Sequence, residues 1–178
     1  KPKHWDEFAK RAFASPQSEA HIRELSVLFG DGRALDEVKR LVLDNKAPLT
    51  ARKSALQTFI DASPDDLRTI CEKLLGVRFL NTVAVRGLAK FDDPALASKL
   101  AKSYRSFHPS ERAAVLESFV SRPVYARALL DEIDTGKISR EDLNAFHARQ
   151  IANLGDAQLT DRLAEVWGDI RESVAEKR

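Results

Sequence analysis

The chain has 178 residues, 43% of them hydrophobic and 31% charged, with seven glycines and seven prolines, a mix that supports a packed core and excludes a disordered chain. Its 29 basic and 27 acidic side chains leave a net charge of +2, far from the strongly cationic balance of a dedicated phosphate-backbone binder. No run approaches the roughly 20 apolar residues of a membrane span, and residues 1–10 lack the apolar stretch of a signal peptide. The chain begins with Lys1 and contains no Met, so it reads as a piece of a longer protein.

Apolar residues recurring at three and four predict twelve helices, at 3–14, 16–29, 33–45, 49–62, 64–75, 78–91, 94–106, 110–121, 123–134, 140–153, 157–167 and 170–177. Ser15-Pro16, Ser63-Pro64, Asp93-Pro94 and Pro109-Ser110 read as helix starts, because Ser or Asp caps free N–H groups and Pro fits a first turn that needs no donor. Ser139 with Asp142 resembles a capping box. Gly30, Gly76, Gly136, Gly155 and Gly168 follow apolar-periodic runs, where a left-handed stop is expected. Connections of two to four residues require successive helices to double back as antiparallel hairpins.

The chain also resembles itself. An apolar pair with a bulky second member recurs before a polar turn, as Leu25 and Leu28, Leu56 and Phe59, Leu88 and Phe91, Leu116 and Phe119, and Ile151 and Leu154. The steps between first members are 31, 32, 28 and 35 residues. A basic residue stands four positions earlier in two copies, Arg52 and Arg112, with His147 in that place later; Ala84 breaks the rule. A period near 30 with two helices per unit is the mark of stacked hairpins, since one hairpin cannot bury its apolar faces alone. The fold expected is therefore all-α, an α-α superhelix (a HEAT-like solenoid) forming a single domain over 1–178. An irregular helical bundle is the alternative.

Chemistry-bearing patterns are sparse. Cys71 stands alone, which excludes an internal disulfide and a cysteine-based metal site, and its place in an apolar run predicts a buried, inert thiol. His4, His21, His108 and His147 include no pair three or four apart, so no helical metal pair exists. Residues 131–142 (DEIDTGKISRED) resemble a calcium loop, but Ile133 and Thr135 replace two oxygen ligands and Asp142 the bidentate Glu; Gly136 as a helix stop explains the run better. Asp65, Asp66, Asp92 and Asp93 fall at expected helix starts, where the helix dipole accounts for them. Trp167 reads as a core residue closing the last hairpin, with a docking aromatic as the alternative, and Trp5, Phe8 and Phe13 as a helix sealing the first repeat. No phosphate loop or nucleophile motif appears, so no catalytic residue and no cofactor or metal ligand is expected. Charge is uneven: residues 78–112 carry seven basic and three acidic side chains, a net of +4, whereas 131–178 carry a net of −4. Arg78, Arg86, Lys90, Arg105 and Arg112 are the candidates for a partner surface; solvated helix faces are the plainer account.

Three segments together resemble a family: residues 80–93 (LNTVAVRGLAKFDD), 129–143 (LLDEIDTGKISREDL), and Arg149-Gln150-Ile151 with 165–173 (EVWGDIRES). They are similar to the HEAT-like helical segment of large planctomycete and verrucomicrobial multi-domain proteins known as membrane-bound dehydrogenases or PVC-type c-type cytochromes. The resemblance covers about residues 50–178. It implies a sugar-dehydrogenase-like β-propeller before the helices, a c-type cytochrome domain with CxxCH after them, and an exported, cell-envelope setting for the parent. It carries no catalytic residue onto this chain, and haem c would belong to a separate domain. The function expected is a non-catalytic scaffold or protein-interaction domain, whose partners are other domains of the same chain or another protein. A nucleic-acid-binding HEAT-like protein of DNA-glycosylase type is the alternative, motivated by the basic stretch and opposed by the net charge. An enzyme with a pocket between helices is a third reading.

Overall fold

The computed structural model describes residues 2–12, 16–30 and 32–168. Among them lie eleven α-helices: α1 (Trp5–Ala12), α2 (Pro16–Leu28), α3 (Gly32–Leu43), α4 (Leu49–Ala62), α5 (Leu67–Leu74), α6 (Asn81–Leu88), α7 (Pro94–Lys102), α8 (Pro109–Phe119), α9 (Pro123–Asp134), α10 (Ala145–Ala152) and α11 (Ala157–Trp167). Two 3-10 turns, Tyr104–Ser106 and Arg140–Asp142, complete the regular structure, and the described residues form no strand. The chain is all-α. The helix expected at 170–177 lies outside the described residues, as do Phe13, Ser15 and Asp31.

Contacts group the chain into two compact units, residues 1–84 and 85–178, and α6 crosses the division. In the first unit α3 packs between α2 and α4, α1 packs on α2, and α2 also touches α4. In the second, α9 packs on α7, α8 and α11, and α10 packs on α11.

The apolar pairs of the repeat form much of each core. Leu56, Phe59, Leu88, Leu116, Phe119 and Ile151 are buried, each such side chain contributing about 1.5–3 kcal/mol of hydrophobic stabilisation. Phe91 and Leu154 are half-buried. The first copy departs from the pattern, with Leu25 38% and Leu28 67% exposed. There α2 turns Ile22 and Val27 inward instead. Trp5 fixes that rotation: its ring meets Phe29 edge-on at 4.8 Å, and its Nε1–H donates to Ser26 Oγ at 3.1 Å. Phe8, expected to help seal this end, touches Trp5 at 5.6 Å yet stays 56% exposed.

The basic residue four positions before the apolar pair has a structural use. In unit 1 the buried Arg52 donates Nε–H to the Val42 carbonyl at 3.0 Å, closing the C-terminus of α3. In unit 2 Arg112 donates Nε–H to Phe107 O at 3.3 Å and Nη2–H to Arg105 O at 3.1 Å, closing the turn after α7. Helix ends leave carbonyls without partners, and a guanidinium from the next helix satisfies them. The buried Tyr125 does the same for α6, its hydroxyl lying 2.6 Å from Leu88 O and 3.0 Å from Phe91 O.

Several helix ends fall where the sequence placed them, and several do not. Asp93 caps α7, accepting from Ala95 N and Leu96 N at 2.9 and 3.0 Å. The run 131–142 folds as a helix stop: Gly136 takes φ of 70°, its N–H donates to Ile133 O, and Lys137 N–H donates to Glu132 O, the two-bond Schellman pattern. Ser63, by contrast, ends α4 rather than starting α5; it adopts φ of 49° and donates its N–H to Phe59 O and Ile60 O. Gly76 is not among the left-handed glycines, and Phe79 takes φ of 67° nearby. Ser139 caps only a 3-10 turn, and α10 begins at a capping box of Asn144 and His147, since Asn144 supplies the acceptor for Phe146 N and His147 N.

Candidate functional site

The chemistry available in each unit is limited. The lone Cys71 is buried on α5, and desolvation pushes its thiol up to about 12, so no thiolate forms near neutral pH. That thiol and the absence of CxxCH from the sequence do not fit covalent haem attachment to this segment. Tyr104 is also buried, and burial with the nearby Asp142 carboxylate raises its hydroxyl pKa. Among the described residues no three His, Cys, Asp or Glu side chains gather closely enough to hold a metal ion. Trp167 is buried, and its Nε1–H donates to Leu143 O at 2.8 Å, fixing the end of α11 to the start of the 143–152 segment.

The five basic candidates separate by environment. In unit 1, Arg78 is exposed with its guanidinium 4.7 Å from the Phe79 ring centre, and Lys53 Nζ lies 5.6 Å from the same ring. Both are cation–π contacts. In unit 2, Arg112 is held on carbonyls as described and sits 5.8 Å over Tyr104, while Arg105 is exposed with Nη2 3.4 Å from Gly136 O. Arg86 and Lys90 share a cleft.

That cleft, about 340 Å³, is lined by Arg86, Ala89 and Lys90 from the end of α6 and by Glu117, Ser118, Ser121 and Arg122 from the end of α8 and the turn into α9. Arg86, Lys90, Arg122 and Glu117 are exposed, so the cleft holds three cations and one carboxylate. The hydroxyls donate inward to their own backbone, Ser118 Oγ to Ala114 O at 3.3 Å and Ser121 Oγ to Ser118 O at 2.7 Å, which leaves oxygen lone pairs to accept from a ligand. Arg122 occupies the N-cap of α9 and makes no side-chain cap bond. A cation at a helix N-terminus opposes the macrodipole, a placement that costs about 0.3–1 kcal/mol. Arg122 and Glu117 are the cleft residues that the sequence did not single out; the signal was there in Arg122-Pro123, a basic residue where Ser or Asp is favoured.

Comparison of the chain with family models, curated proteins and solved structures finds no significant match.

Next to this cleft, α10 carries the buried His147. Burial holds its pKa below the usual value, and the Glu117 carboxylate opposes that shift in part. The neutral ring is the form its contact requires, because Nδ1 accepts the Asn144 N–H at 3.4 Å. Unit 1 offers a small cleft of about 90 Å³ among Val38, Leu41, Ala51 and Ala55, below the ~300 Å³ at which ligand clefts begin, and a wider one of about 420 Å³ lined by Arg23, Glu37, Arg40 and Leu41. No described helix is long and apolar enough to cross a membrane.

Proposed function

We propose that this chain is a HEAT-like solenoid acting as a non-catalytic scaffold and protein-interaction domain. One observation carries the reading. Side-chain bonds in both units link residues close to one repeat apart: Lys39 to Asp66 (27 residues), Ser54 to Glu24 (30), Arg105 to Gly136 (31), Arg127 to Asp156 (29) and Arg162 to Asp134 (28). Such spacing is what hairpins of about 30 residues produce when each stacks on the next, because equivalent positions then face one another across the interface. Packing between next neighbours, α2 on α4, α7 on α9 and α9 on α11, supports the same arrangement.

A stack of this kind suits a spacer. Its repeats contact only their neighbours, and its length follows from their number. In a parent of the dehydrogenase and c-type cytochrome kind that the sequence resembles, it would hold the propeller and the haem domain at a set separation. In isolation it would present an extended face to a protein partner.

Small-angle scattering of the 178-residue chain tests the stack. A compact globule of this length has a radius of gyration of about 16 Å, and a stack exceeds it. Duplicating residues 94–121, one period from α7 to the end of α8, is expected to lengthen the particle by about 10 Å, one helix-packing distance. A particle that stays at the compact value, or turnover by the purified chain with any supplied cofactor, refutes the reading.

A further inference from the structure

We propose that His147 is a pH-sensitive latch: its neutral ring closes the start of α10, and a proton on that ring opens it, releasing Leu143 and Trp167 at the end of the last described hairpin. Acid thereby loosens this end of unit 2 while α7 to α9 stay packed.

The latch is a reciprocal pair of caps. Asn144 Oδ1 accepts from the Phe146 and His147 amides, both at 3.0 Å, and His147 Nδ1 accepts from the Asn144 amide at 3.4 Å. A ring nitrogen accepts only while it carries no proton. Protonation makes Nδ1 a donor facing the Asn144 N–H, and it puts a cation in the first turn of a helix, where the macrodipole opposes it. It also charges a side chain that is only 6% exposed. The ring therefore leaves the box for water, and the Asn144 cap loses its reciprocal bond. The residue before Asn144 carries the consequence outward. Leu143 is 2% exposed, and its carbonyl accepts Trp167 Nε1–H at 2.8 Å, the bond that ties the end of α11 to the start of α10. Fraying of the first turn of α10 frees that carbonyl.

The charges around the ring do little to hold it once protonated. Glu117 of α8 is the carboxylate that acts on it, and Glu117 is exposed, so water and salt screen the attraction. Burial outweighs that carboxylate and favours the neutral ring. In the turn before α10, Asp142 sits against the Tyr104 hydroxyl, and Arg140 and Glu141 are exposed. Arg149 of α10 itself donates Nε–H to Ala145 O at 3.1 Å. The packed neighbour α11 buries Leu159, Leu163 and Trp167; its Asp161 and Glu165 are exposed, and Arg162 pairs with Asp134 and Glu165.

Two-dimensional NMR of the full 178-residue chain between pH 7.5 and 5 tests the latch. His147 Cε1–H follows the proton. Hydrogen-exchange protection of the Phe146 and His147 amides and of the Trp167 indole N–H, corrected for the intrinsic pH dependence of exchange, follows the opening. Protection at these three groups is expected to fall at least tenfold as the ring titrates below about pH 6.5. The amides of Leu129 and Leu130, fully buried on α9, should change less than twofold. His147→Gln keeps a capping-box acceptor that does not titrate, so its protection should vary less than twofold over the same range. Glu117→Gln removes the opposing carboxylate and is expected to move the ring's titration to lower pH. A ring that stays neutral down to pH 5, or that titrates with no loss of protection at Phe146 and the Trp167 indole, overturns the proposal. So does a loss of protection that persists in His147→Gln. An equal loss at Leu129 and Leu130 overturns it as well, because it marks unfolding of the whole unit rather than opening of one helix start.

Discussion

Arg52 offers the sharpest test of how the repeat is held together. Its Nε–H is the one donor to the Val42 carbonyl among the described residues, because the nearest following amide, Lys46 N–H, turns instead to Asp44 Oδ1 at 2.9 Å. Val42 is fully buried, so no water replaces the bond. Arg52→Met keeps most of the aliphatic stem and removes the donor. A hydrogen bond from a charged group contributes about 1.5–3 kcal/mol, and the orphaned carbonyl loses its partner as well; removal of a largely buried charge offsets part of this. The expected loss is about 2 kcal/mol. Urea unfolding followed by circular dichroism reads this as a midpoint lower by roughly 1 M with an unchanged slope. Tyr125→Phe sets the scale. Its two carbonyls keep backbone donors, Phe91 N–H on Leu88 O and Asp93 N–H on Phe91 O, both at 3.0 Å, so only about 1 kcal/mol is expected there. A variant Arg52→Met within 0.5 kcal/mol of the parent chain, or less destabilised than Tyr125→Phe, refutes the carbonyl-closing role.

Other outcomes follow from burial and charge. Leu56→Ala is expected to cost about 2–5 kcal/mol, whereas Leu28→Ala, its repeat counterpart but 67% exposed, should stay within about 0.5 kcal/mol by the same urea assay. His147 is held neutral by burial, so its folded pKa lies below its unfolded value of about 6.5. Stability is then full above that pH and declines as pH falls from it toward the folded pKa, because the unfolded chain binds the proton first. Thermal melts of the parent chain and His147→Gln between pH 7.5 and 5 should converge as the pH drops. Cys71, with its thiol pushed up to about 12 and no exposed surface, should resist a thiol reagent in the native chain at pH 8 and react fully in denaturant.

The first eleven helices were legible because their causes are local. Asp93-Pro94 and Gly136 act within one turn, so a cap and a stop can be read without knowing what lies opposite. Ser63 and Asn144 show the limit. Ser63-Pro64 fits a start on paper, yet the turn after α4 uses Ser63 in the left-handed conformation, and α5 starts only at Leu67. Asn144 caps α10 with a histidine in the reciprocal place, a pairing outside the usual Ser/Thr with Glu/Gln pattern.

Periodicity alone established that apolar pairs recur about every 30 residues and that most of them face inward, because an apolar stripe at three-and-four spacing has one low-energy side wherever it packs. Which side α2 buries was decided by Trp5 and Phe29, whose aromatic contact outweighs the repeat register and leaves Leu25 and Leu28 in water. Likewise the sequence marked a basic stretch by counting, but counting cannot assign a guanidinium its partner. Tertiary packing placed Arg112 on carbonyls and brought Arg122, ten residues further on, beside Arg86 and Lys90, since charge distribution along a chain is one-dimensional and a cleft is made by helices that meet in space.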